Sequence, residues 1–141
     1  MRGGYLHNEV MARQLADALE RLGARVRTEY PAGPGRRAGA VDLYVELHGL
    51  RIACEIELGP RRLRQDLRKA EALGVDLLLL VAPTSAGARA IRRRLATFGK
   101  PRFQVRVLVN PQAVKYLSQL SPVVSRGDKK TETRSARGAE P

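Results

Sequence analysis

The chain has 141 residues, 43% of them hydrophobic, which suffices for one domain with a real core and is too short for two. A formal charge of +12, from 26 Lys and Arg against 14 Asp and Glu, disfavours cationic ligands and makes phosphate-rich polymers the expected partners. The lone Cys54 excludes an internal disulfide, no charged start leads into an apolar run as in a secretion signal, and the longest apolar stretch, Leu77–Ala82, is far below the roughly 20 residues of a membrane-spanning helix, so a cytoplasmic protein with no membrane association is expected.

Asn8 is placed to cap a first helix, in which Met11, Leu15, Ala18 and Leu22 recur at helical spacing until Gly23 offers a stop. Val26, Thr28 and Tyr30 alternate with Arg25, Arg27 and Glu29 as a half-buried strand. Residues 31–39 carry three Gly, two Pro and the pair Arg36 and Arg37, the composition of a mobile basic loop. Two strands follow: Val41, Leu43, Val45 and Leu47 alternate with Asp42, Tyr44 and Glu46, and Ile52, Cys54, Ile56 and Leu58 with Ala53, Glu55 and Glu57. His48 and Gly49 form a two-residue hairpin loop between them.

A helix is predicted over 60–73, with Pro60 in its first turn, Gly74 beyond its end, and Leu63, Leu67 and Ala70 on one face. Residues 75–81 read as a fully buried strand. Ser85 caps a helix reaching Phe98, 103–109 alternates as a strand, and 111–120 forms a last helix. The expectation is a single α/β domain over 1–120 on a mixed central sheet. From Ser121 the chain turns polar, with five basic and three acidic residues, and a disordered tail is predicted over 121–141.

All 11 acids of the folded part lie between Glu9 and Asp76, whereas residues 77–127 contain none and hold Arg89, Arg92, Arg93, Arg94, Lys100, Arg102, Arg106, Lys115 and Arg126. A surface built for solubility mixes both signs, so the basic half reads as part of a polyanion contact.

With Leu47 and Leu50 flanking the turn, opposed residues have numbers summing to 97, and Asp42 faces Glu55. Glu57 projects from the same face two residues on. Like charges so opposed are destabilising, and a divalent cation is the economical counterweight. Mg²⁺ suits such carboxylates, with Mn²⁺ as its substitute. The ordinary alternative is a set of solvated acids on the outer face of a hairpin, as the opposed Glu46 and Arg51 suggest. His7 and His48 have no zinc-ligand spacing, Cys54 shares a face with Ile52 and Ile56 as a buried apolar residue, and Tyr5, Tyr30, Tyr44 and Tyr116 are too scattered for a base-stacking platform.

Val41-Asp42-Leu43, a short hairpin, then Cys54-Glu55-Ile56-Glu57 leading into a helix together resemble the PD-(D/E)XK nuclease superfamily. The resemblance covers about residues 8–82 in element order. It implies a restriction-endonuclease-like core (αβββαβ), with the remaining α-β-α segment as a C-terminal addition. Size, basic charge and an early Glu in the first helix are most similar to archaeal-type Holliday junction resolvases. By position, the resemblance makes Asp42 and Glu55 metal ligands, assisted by the backbone carbonyl of Ile56, with Glu9 completing the acidic shell. Glu9 also fits a plain helix-dipole role.

Glu57 departs from the pattern, since resolvases of this type carry Lys there, while some restriction enzymes of this fold carry Glu. Either Glu57 serves as base or second-metal ligand, or Lys69 reaches in from the following helix. Gln65 and Lys69, one helical turn apart, are placed either to face the site together or to form an ordinary polar stripe on a surface helix. Arg36, Arg37, Arg61, Arg62, Arg64, Gln65 and Arg68 are candidate DNA contacts, with plain solvation of the helix as the alternative for some of its arginines. The expected activity is that of a Mg²⁺-dependent, structure-selective endodeoxyribonuclease cutting four-way junctions as a homodimer in recombination or repair. A restriction-like or repair endonuclease on duplex DNA is the alternative, and a non-catalytic DNA-binding module on a nuclease scaffold is a further one.

Overall fold

A computed structural model describes residues 2–120, with side chains from Asn8 onward. The expected tail over 121–141 and the side chains of Tyr5 and His7 lie outside the described residues. Helix α1 spans Arg2–Arg21, so Asn8 lies inside it and is not its cap. Met11, Leu15 and Leu19, spaced by four, are buried with Ala16, whereas Leu22, expected on the same stripe, falls beyond the helix end and is 39% exposed.

Strand β1 is Arg25–Pro31, β2 Ala40–Leu47 and β3 Leu50–Ile56. The loop before β2 holds a single 3₁₀ turn, Arg36–Ala38, with both arginines exposed. A 3₁₀ turn at Pro60–Arg62 leads into α2, Leu63–Leu73, which ends at Gly74 in the left-handed conformation (φ 66°). Strand β4 is Leu77–Ala82, buried throughout. Helix α3 is Ser85–Leu95, three residues shorter than expected, and its cap is Thr84, whose Oγ1 accepts from Gly87 N–H at 3.0 Å. Strand β5, Gln104–Val109, and helix α4, Asn110–Ser118, complete the domain.

The result is an α/β fold on one five-stranded mixed sheet in the order β1-β2-β3-β4-β5. β1, β2 and β3 run antiparallel, and β4 and β5 join in parallel. Met11, Leu15 and Leu19 of α1 and Ala113 and Leu117 of α4 pack on one face with Leu43, Cys54 and Leu79; Leu63 and Ala70 of α2 and Ala88 and Ile91 of α3 pack on the other with Ala53, Leu78 and Leu80. No helix among the described residues is long and apolar enough to cross a membrane.

One distortion positions the site. In β1 and β2 the pairing skips Glu29 and Asp42, and Glu29 has φ 48°, a costly value for a non-glycine residue in a strand. The side-chain alternation shifts there. Val26 and Leu43 pack on the α1 face, yet Tyr30 and Val41, each an even number of residues away, pack on the α2 face.

Candidate metal centre and its basic surround

Strands β2 and β3 pair from Leu47↔Leu50 to Leu43↔Cys54, the register set by the two-residue loop, in which His48 and Gly49 have φ 54° and 82°. One step further, side chains replace the ladder. Asp42 N–H donates to Glu55 Oε1 at 3.3 Å, and Ile56 N–H donates to Asp42 Oδ2 at 2.7 Å. Each acid is thus tied to the other's strand, and these donors offset part of the repulsion that the sequence assigned to a cation alone. Glu46 and Arg51 do oppose each other, but pair elsewhere: Glu46 with Arg25 at 3.8 Å, and Arg51 with Asp76 at 3.8 Å.

Glu55 faces α2. Its Oε2 lies 2.7 Å from Lys69 Nζ, and the same ammonium donates to Ala40 C=O at 2.7 Å. Lys69 therefore bridges the start of β2 to the acid on β3. Glu57 and Asp66 join Glu55, and one carboxylate oxygen from each lies within 4.8 Å of the others. All three are buried, at 2% exposure for Glu55, 6% for Glu57 and 1% for Asp66. Asp66 Oδ1 is 3.9 Å from Lys69 Nζ, and Arg62 Nε is 3.7 Å from Glu57 Oε1.

Asp42 is adjacent to this trio but outside it, at the switch in strand facing, with its carboxylate turned edgewise to the β3 backbone. Gln65 is exposed, and Asp66 takes the inward position beside Lys69. The face of α2 against the sheet is centred between Leu63, Asp66 and Ala70, and at about 100° per residue Gln65 falls beyond its edge, whereas Lys69 reaches back along its long stem.

Three buried carboxylates stand against one buried ammonium, a balance that cannot persist fully ionised without help. Burial, then the charge of Asp42, pushes Glu55 up to about 7, with Lys69 opposing. Burial, then the hydrogen bond that protonated Asp66 donates to Glu57, raises Asp66 to about 10, again against Lys69. Glu57 Oε2 and Asp66 Oδ2 have no hydrogen-bond partner among the described residues unless a proton lies between the acids. A divalent cation satisfies the same oxygens, so the donor set fits an oxygen-preferring metal ion.

Two clefts flank the centre. One, of about 530 Å³, is lined by Glu9, Arg13, Thr28, Glu29, Asp42 and Arg62 among others, which places the early Glu and Asp42 on one opening. The second, of about 410 Å³, gathers Arg61, Arg62, Arg64, Gln65 and Arg68 with Arg94. Five of the seven candidate DNA contacts thus share a groove, while Arg36 and Arg37 stand apart on their turn. The acid-free half is less unified than its composition suggests. Lys100, Arg102 and Arg106 line a different depression near β5, and Arg92 donates to Val107 C=O.

Asp66 is the residue that sequence reasoning missed. Its signal was an acid at i+3 from Leu63 and four before Ala70, inside the apolar stripe where a solvated charge does not belong. Tyr30 and Tyr44, distant in sequence, stack with centroids 4.5 Å apart, because the switch at Glu29 brings Tyr30 to the α2 face, where alternation with Leu43 already places Tyr44. Cys54 is fully buried and burial pushes its thiol up, in keeping with an inert core residue. Comparison with protein-family models, curated proteins and solved structures finds no match to this chain.

Proposed function

We propose that the chain is a metal-dependent DNA endonuclease of the PD-(D/E)XK kind, with a restriction-endonuclease-like core, acting first of all on four-way junctions. The observation that carries this reading is the convergence of Glu55, Glu57 and Asp66 with Lys69, all buried, beside an arginine-lined groove. Acids that would repel one another unless protonated or metal-bound are expected where a cation works, and guanidinium forks are expected where phosphates are held.

In this reading Glu55, Glu57 and Asp66 hold the cation, Mg²⁺ or Mn²⁺ by donor type. When bound, a divalent cation supplies polarisation of the scissile phosphate and a water of lowered pKa. Lys69, fixed between Ala40 C=O and Glu55, holds the acid in orientation and offers an ammonium in place of the lysine that resolvases carry at the position of Glu57. Arg62, at the mouth beside Glu57, steadies an incoming phosphate. Symmetric cutting of a junction needs two such centres, which a two-fold homodimer provides.

A restriction-like or repair endonuclease on linear duplex is the second reading, favoured by Glu57 itself. Labelled four-way junction, duplex and single strand, each incubated with Mg²⁺ or with chelator, separate the two. Paired Mg²⁺-dependent nicks near the branch point are expected. Cutting of linear duplex instead would transfer the assignment to the second reading, and binding without cleavage of any substrate would overturn both in favour of a non-catalytic DNA-binding module.

A further inference from the structure

Helix α3 contributes to the arginine groove in a way the motif does not require. Arg64 on α2 and Arg94 beside the end of α3 place their guanidinium carbons 5.2 and 5.4 Å from the centre of one ring, that of Phe98. Phe98 is half-buried against the α2/α3 core, so it is a fixed support. Two like charges have been brought to one aromatic ring with no acid between them.

Neighbouring cations differ. Arg62 has Glu57 and Arg102 has Glu71, yet Arg61, Arg64, Arg68 and Arg94 have no ion pair among the described residues. Four unpaired guanidiniums lining about 410 Å³ are an arrangement that an anion with several phosphates satisfies. Stacking on Phe98 restrains side chains that would otherwise lose rotamer freedom on binding, which lowers the cost of gripping a ligand.

The groove also has a direction. Arg62 lines both it and the cleft that contains Asp42, and it touches Glu57 of the acidic centre. A strand with one phosphate at the acids would thus have a continuous path past Arg62 into the α2/α3 groove.

We propose that this groove is a strand anchor, in which Arg64 and Arg94, pre-set on Phe98, grip backbone phosphates of DNA beyond the one being cut. The position of the cut rests on the nuclease reading; the grip on phosphates does not. It works without metal, since no acid takes part in it.

The test is fluorescence anisotropy of labelled single-stranded and duplex DNA with the full chain in chelator, across a range of salt. Arg64→Ala with Arg94→Ala is expected to weaken binding about 10- to 100-fold at low salt and to lower the slope against log salt by about 2. Arg102→Ala with Arg106→Ala removes the same charge from the depression near β5 and is expected to cost less than about threefold. Phe98→Leu keeps every charge and an apolar side chain but frees the two guanidiniums, and should weaken binding about three- to tenfold with an unchanged salt slope.

Equal losses from the two double variants would reduce the effect to diffuse net charge and overturn the anchor, as would wild-type affinity in both the Arg64/Arg94 and Phe98 variants. Thermal unfolding of each variant and its shift with Mn²⁺ report whether the fold and acidic centre are intact. A chain that binds through this groove but never cuts DNA would sink the nuclease reading and leave the anchor standing.

Discussion

At the residue scale, Asp66 is the most informative side chain of the centre. It is buried on a helix face otherwise given to Leu63 and Ala70, its Oδ2 has no partner among the described residues, and burial with Glu57 holds its proton on. An acid there is a cost to the metal-free fold. Asp66→Asn keeps the shape and removes the charge, so the variant in chelator at pH 8 should unfold at a temperature equal to or above wild type. With Mn²⁺ added, the wild-type midpoint should rise and that of the variant should stay near its chelator value. Glu55→Gln, which deletes the acid contacted by Lys69, should lower cleavage by at least the roughly 10- to 100-fold typical of altered metal shells. Differential scanning fluorimetry and a timed cleavage assay read these outcomes. An Asp66→Asn protein that gains stability with Mn²⁺ as wild type does would remove Asp66 from the cation site.

At the element scale, the hairpin is the feature that local rules determine most completely. His48-Gly49 accepts positive φ at both positions, the alternating strands need one face inward, and these two conditions fix the register that brings Asp42 next to Glu55. Gly74 marks the end of α2 for the same kind of local reason. Glu29 has no such signal. A Glu at φ 48° is held by tertiary packing, and with it come the skipped pairing at Asp42, the edgewise turn of that carboxylate and the stacking of Tyr30 on Tyr44. The inward turn of Asp66 was missed for another reason: Leu63 and Ala70 fix the helix phase, but the acids that Asp66 meets, Glu55 and Glu57, come from the end of β3 and become its neighbours only in the folded chain. Strain at Glu29 is measurable, because its side chain is exposed and adds little packing. Glu29→Gly should lie within about 1 kcal/mol of wild type, since relief of the left-handed penalty is balanced by backbone entropy. Glu29→Val, with a branched side chain in that conformation, should destabilise by about 1–2 kcal/mol in denaturant titration. Equal stability of the two variants would mean that the strand relaxes and that the switch is not held in place.

At the scale of the whole molecule, the proposed cation binding would be coupled to stability through protons. Glu55 and Asp66 are held at about 7 and about 10, above the ordinary carboxylate range. Without a cation the folded chain retains protons that the unfolded chain releases from about pH 4 upward. A carboxylate raised in this way contributes stability in full below its unfolded value and loses it as pH rises through its folded value. The metal-free midpoint should therefore fall between about pH 5 and pH 8, with Glu55 giving the inflection and Asp66 sustaining the decline. A cation competes for the same oxygens, so its affinity should rise over the same interval as those protons leave. Midpoints measured with Mg²⁺ and with chelator should nearly coincide at about pH 5 and separate steadily toward pH 8. In Asp66→Asn the chelator curve should be flatter and the separation smaller. A wild-type curve in chelator that rises across this interval, or a gap between the two curves that is constant with pH, would show that these acids do not exchange protons for a cation.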